Sequence, residues 1–175
     1  MNTDHTNDDH NNILQGLRSA NPLKVTETLD ELRVSGKVAD IPVLIELLHS
    51  TQNPEIKTRI TSLFANLKDA DAIPLIISAI QNPKYAPELQ KLVSSCWENG
   101  LDYSNYLSLF IDLLIENDFL TAFEAYTVIM NMTTKIEQAK IKIETDRLEK
   151  ILSVTTEEKR PLILDTIEFL PSLGY

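Results

Sequence analysis

An all-α chain of stacked helix pairs is the fold class this sequence predicts, and three observations predict it. From Ile13 onward apolar residues recur at spacings of three and four, not two, the period of helices that bury one stripe. The chain also repeats itself. Asn21-Pro22-Leu23-Lys24-Val25 returns as Asn53-Pro54-Glu55-Ile56-Lys57, and Asp40-Ile41-Pro42-Val43-Leu44-Ile45-Glu46-Leu47-Leu48 returns as Ala72-Ile73-Pro74-Leu75-Ile76-Ile77-Ser78-Ala79-Ile80. Pro22 and Pro54 stand 32 positions apart, as do Pro42 and Pro74, so the two series share one period at an offset. Two helices per period, stacked so that neighbours cover each other's stripes, produce that pattern.

Residues 1–11 are polar and acidic with no periodic apolar position, and read as a disordered tail before a single domain over 12–175. Asn21 and Asn53 each offer an N-cap acceptor. The proline after each fills the first helical position, where a missing N–H costs nothing. Over 44–48 nearly every residue is apolar, which predicts a helix buried on more than one side. Pro42 and Pro74 start the other helix of each period with φ already set. Over 55–67, Ile56, Ile60, Leu63, Phe64 and Leu67 form one stripe, and 67–71 is a polar break that turns the chain. The Asn-Pro signal recurs at Asn82-Pro83, and 109–114 is a degenerate third copy of the Pro42 segment. Lys140-Ile141-Lys142-Ile143 alternates briefly inside a charged run that fits a helix.

The chain's 175 residues suffice for one core, and 43% hydrophobic with 24% charged residues is ordinary globular composition. Four glycines and one cysteine exclude collagen-like, disulfide-scaffold and multi-cysteine zinc classes. Twenty-six acidic residues against 16 basic give a formal charge of −10, which repels a phosphate backbone, so no nucleic-acid partner is expected. The first residues carry no basic or apolar leader pattern, and no apolar run approaches the ~18 residues of a membrane span. A cytoplasmic protein without a membrane partner is the expectation.

No catalytic, cofactor-binding or metal-binding set is read. His5, Asp8, Asp9 and His10 lie in the acidic segment with nothing to fix a ligand geometry. His49 ends an apolar helix, where the dipole favours it. Cys96 beside Trp97 reads as a buried thiol without a local base. Gly16, Gly36, Gly100 and Gly174 are too far apart for a phosphate loop. Asp69/Asp71 and Glu157/Glu158 suit turns and helix starts rather than acid–base work.

Asn53-Pro54-Glu55-Ile56-Lys57, followed by Ile60, Leu63, Phe64, Leu67, Asp69, Ala72, Ile73 and Pro74, resembles the HEAT repeat in its compact bacterial form. Asn53 stands for the family's usual Asp, Lys57 for Arg, Arg59 for Ala and Ala65 for Gly. The likeness is good over 42–80, fair over 12–48 and loose over 87–132. It implies a right-handed α-α superhelix, an armadillo-type α-solenoid of about five antiparallel helix pairs. First, convex helices fall near 13–19, 41–49, 73–81, 104–116 and 135–152. Second, concave helices fall near 22–34, 54–67, 85–98, 118–132 and 157–170. The charged run 135–150 suits a polar end cap.

That geometry turns the polar side of each second helix toward a groove. The candidate partner-binding residues are Arg33, Thr58, Arg59, Ser62, Asn66, Gln90, Ser94, Glu98, Glu124 and Asn131, with Thr26, Asp30, Ser95 and Thr127 beside them. Arg59 either engages a partner carboxylate or pairs with Glu55 one turn earlier. Trp97, Tyr103, Tyr106, Phe110, Phe119, Phe123 and Tyr126 either pack a core or form an exposed hot spot in an acidic surround. The expected function is a non-catalytic module that binds a basic or amphipathic protein or peptide. An accessory or lyase-like role on a cofactor-carrying partner is the alternative. A DNA-lesion role ranks third against the charge.

Overall fold

Side-chain caps start the second helices where the sequence places them. Asn21 Oδ1 accepts from the Leu23 amide at 3.0 Å, and Asn53 Oδ1 accepts from Glu55 and Ile56 at 2.9 and 3.4 Å. Asp118 Oδ1 accepts from the Thr121 amide at 2.9 Å. The structure, a computed structural model, describes residues 4–175, and their side chains from His10 onward. The described residues form ten α-helices joined by turns and short 3₁₀ segments, without a named strand. None of these helices is long and apolar enough to cross a membrane.

The chain divides between Glu88 and Leu89 into two compact units. The first holds α1 (Asp4–Leu17), α2 (Pro22–Ser35), α3 (Ile41–Ser50), α4 (Pro54–Ala65) and α5 (Ile73–Ile80). Here α2 packs on α1 and α4, and α3 packs on α4 and α5. Leu29, Leu48, Ile60, Phe64 and Ile76 are all but sealed in its core. Helix α1 starts at Asp4, inside the segment read as a tail; residues 1–3 of that segment lie outside the described residues. The sequence places a helix over 85–98, yet Pro83–Glu88 is a 3₁₀ segment and α-helix begins only at Leu89. Pro87 lacks an N–H and disfavours α geometry at Ala86.

The second unit holds α6 (Leu89–Glu98), α7 (Leu107–Glu116), α8 (Phe119–Met130), α9 (Gln138–Ile151) and α10 (Arg160–Phe169). Helix α8 packs on α6, α7 and α10, and α9 packs on α7 and α10. Phe110, Ile111, Leu114, Ala122, Ala125 and Ile163 are fully buried. Tyr103 meets Phe110 edge to face at 5.9 Å, and its hydroxyl accepts from Asn99 Nδ2 at 3.1 Å. Helix α9 starts three residues later than the expected 135. The backbone of Ile136 is taken by the chain's end instead, donating to Leu173 O at 2.8 Å and accepting from Tyr175 at 3.2 Å.

Buried charge in this unit is met by hydrogen bonds. Lys159 Nζ donates to the carbonyls of Ile115 and Asn117 at 2.7 and 2.9 Å, closing the end of α7. Burial lowers its pKa despite Asp118 and Glu158 nearby. Glu144 accepts from Ser108 at 2.6 Å and Arg147 at 2.7 Å, which ties α9 to α7. Asp102 accepts from the amide and hydroxyl of Ser104, from the hydroxyl of Thr133, and from the amide and hydroxyl of Thr134. It thereby clasps the α6–α7 turn to the α8–α9 turn. Burial alone would raise its pKa, but these donors hold it well below the usual carboxylate range.

A Cβ at Gly16 would sit 2.1 Å from Thr28 Oγ1 across the α1–α2 contact. Gly16→Ala should therefore lower stability by about 1–3 kcal/mol in urea titration, although alanine is the better helix former. Asp102→Asn should cost about 2 kcal/mol at pH 7. Since the folded carboxyl titrates below the unfolded one, that stability is present above the ordinary pKa of ~3.9 and lost as pH falls toward the folded value. The gap in midpoint between the two proteins should close below about pH 4.

Candidate functional site

The outer sides of the second helices carry most of the residues the sequence singles out. In the first unit Arg33 on α2, Thr58 and Ser62 on α4, and Asn66 capping the end of α4 are exposed. Thr58 donates to Pro54 O at 2.9 Å, and Asn66 Nδ2 donates to Ser62 O at 2.8 Å. Arg59 Nε and Nη2 donate to Glu55 at 3.2 and 2.9 Å, while Nη1 reaches Asp30 on α2. Hydrogen bonds to Glu55 and then Asp30 raise its pKa. The guanidinium is thus a rung between α2 and α4.

Gln90, Ser94 and Glu98 lie on α6, and Glu124, Thr127 and Asn131 on or just after α8. Ser94 donates to Glu98 at 2.7 Å. Glu124 Oε2 accepts from the Trp97 indole N–H at 2.7 Å, and Gln90 Nε2 reaches Oε1 at 3.5 Å. Tyr126 donates to Asp165 on α10 at 3.2 Å. Burial, then the Asp165 charge, raises the Tyr126 pKa. Thr26 and Ser95 do not join this surface. Both are buried, and their hydroxyls are satisfied by the carbonyls of Leu23 and Leu92 within their own helices.

These rungs share a register. Arg59, Glu124 and Asp165 each sit six residues past the N-cap of their helix, at Asn53, Asp118 and Lys159. Each bonds a side chain on the preceding second helix. Sequence reasoning missed Leu120, Leu164, Asp165 and Glu168, all exposed beside these rungs. The signal was available: on α8, Leu120 and Phe123 lie opposite the buried run Ala122, Ala125 and Ile129. The aromatic cluster splits both ways. Tyr103 and Phe110 are core, whereas Trp97 is 36% and Phe123 45% exposed.

A cavity of about 770 Å³ opens in the first unit between the ends of α2 and α4. Its rim mixes Arg33, Lys37 and Lys68 with Asp40, Asp69 and Asp71, so it has no single-sign field to select an ion. Among the described residues no group of three His, Cys, Asp or Glu could hold a metal. His10 Nδ1 lies 2.9 Å from Asp40 Oδ1, and the His49 ring meets Tyr85 edge-on at 5.5 Å. His5, Asp8 and Asp9 have side chains outside the described residues. Cys96 is buried, which pushes its thiol up to about 12, so it stays protonated at neutral pH.

No protein-family model matches the chain, and none of the curated proteins does. Among solved structures it is similar to a crystal structure of an engineered protein from the Northeast Structural Genomics Consortium. The two are 17% identical with a TM-score of 0.46, over 93% of this chain and 79% of that one. A likeness at that level carries no functional argument.

The Arg59 rung is exposed on both sides of each pair, so water and salt screen it. Arg59→Ala should move the melting temperature by no more than a few degrees in a circular-dichroism melt. A larger drop would mean that the rung, rather than the apolar stripes, holds α2 to α4.

Proposed function

We propose that the chain is a HEAT-like α-solenoid acting as a non-catalytic interaction module, which takes a protein or peptide along its second helices. The observation that carries this reading is the division of labour within each unit. Second helices lie side by side, α2 with α4, α6 with α8 and α8 with α10; first helices do the same, α3 with α5 and α7 with α9. Stacked pairs of this kind leave an open face per row within each unit, and the second-helix faces carry exposed aromatic and apolar side chains, Trp97, Leu120, Phe123 and Leu164, among polar ones. A formal charge of −10 favours a basic or amphipathic partner, whose association slows as salt rises. The single cysteine, free and buried, fits a reducing compartment such as the cytoplasm.

Photo-crosslinking residues placed singly at Ser62, Gln90 and Asn131 test the second-helix face; Ser78 and Glu116 serve as first-helix controls. All five are exposed. In the native host, discrete protein adducts should form from the second-helix positions and diminish as salt is raised. Equal adducts from the first-helix positions, or none anywhere, would end this reading.

A further inference from the structure

Helix α8 turns two large apolar side chains to solvent one turn apart, Leu120 at 58% and Phe123 at 45% exposure. Helices α6 and α10 flank it. Trp97 stands on α6, pinned by its indole N–H to Glu124. Leu164, 46% exposed, stands on α10. Phe123 and Leu164 each lie five residues past their N-caps, Asp118 and Lys159, and the Tyr126–Asp165 bond joins the two helices. Equivalent positions on adjacent helices put both side chains on the same face. Apolar side chains grouped on one face, unlike those scattered singly, are the kind of surface that contact sites use.

The strip is bordered by carboxylates. Glu98, Glu124, Asp165 and Glu168 stand on the same three helices, against Lys91 and an Arg160 that lies 3.5 Å from Glu157. None of the four acids meets a lysine or arginine among the described ion pairs. Glu98, Glu124 and Asp165 accept only from neutral donors, so their charge is undiminished. That border decides the occupant. A second copy docked face to face would set carboxylate against carboxylate, and an anionic membrane would be repelled as strongly. An amphipathic helix with lysines or arginines beside its apolar stripe matches both features, apolar anchors over the strip and cations over the rim.

We propose that the α6–α8–α10 face of the second unit is the docking surface for a basic amphipathic helix of another protein. The proposal rests on the interaction-module reading and assigns it a site and a partner chemistry. The aromatic and aliphatic anchors carry affinity, and the rim sets charge selectivity and speed of encounter.

Trp97 is the chain's single tryptophan and reports from within the site. The probe is a synthetic leucine–lysine peptide of about four helical turns, free of tryptophan, added to the full-length protein. Its controls are a shuffled peptide of the same composition and one with glutamate for lysine. Expected is a saturable shift of Trp97 emission to the blue, at least about tenfold tighter than for either control. Phe123→Ala with Leu164→Ala should weaken binding about tenfold or more, while Ile143→Ala, exposed on α9, leaves it unchanged. Glu98→Gln with Glu168→Gln should flatten its salt dependence. Thermal melts confirm that each variant folds.

Equal response to the shuffled or glutamate peptide, or indifference to the Phe123/Leu164 pair, overturns the proposal. So does self-association that this pair abolishes, or binding to phosphatidylglycerol vesicles. If second-helix crosslinks form while the peptide fails, the module reading stands and this site assignment falls.

Discussion

Every helix here is short, from the eight residues of α5 to fourteen in α2 and α9. Helices of that length are marginal in water, so packing of apolar stripes must hold them. Helices of both rows meet this constraint, Ile60 on α4, Leu92 on α6 and Ile129 on α8 among them. Leu48 on α3, Ile76 on α5, and Phe110, Ile111 and Leu114 on α7 have no exposure at all. Helix α3 is covered by α4, α5 and the Pro83–Glu88 segment, and α7 by α8 and α9. The second helices are covered on one side and keep the other for solvent. The side left open to solvent is thus a consequence of what the core requires.

Local chemistry was legible in the sequence and distant pairing was not. Asn-Pro starts α2 and α4 as read, because a cap and a pre-set φ act within a few residues. The start of α9 depends on Ile136 meeting the far end of the chain, which no local pattern announces. Arg59 shows both sides at once. Its Glu55 partner is one turn away and readable, whereas Asp30 lies on another helix. Thr26 and Ser95 were misplaced because a hydroxyl that bonds its own helix behaves as a small core residue. Leu120 and Leu164 sit inside apolar helical runs, where a single apolar residue reads as core by default.

Carboxylates in the second unit divide by the partners they find. Those that hold the fold together are saturated: Asp102 by five donors from two turns, and Glu144 by Ser108 and Arg147, with Asp112 also on Arg147. They bind helix to helix or turn to turn; Arg147 offsets one of the two charges of Glu144 and Asp112, while the neutral donors around Asp102 hold it in place and leave its charge. Glu98, Glu124 and Asp165 take an alcohol, an indole and a phenol instead, which fix direction without cancelling charge.

The same rung position makes the contrast between the units physical. In the first, Arg59 answers two acids, Asp30 and Glu55, and leaves the α2–α4 surface with one net negative charge from three groups. In the second, that position is itself acidic, as Glu124 and then Asp165. One architectural element, a side chain bonding back to the previous second helix, therefore serves both units while producing different electrostatics. Because the rungs lie at the surface, changing their sign costs the fold little, whereas the buried stripes beneath admit no such exchange. Charge at that position can change from one helix to the next without disturbing the core.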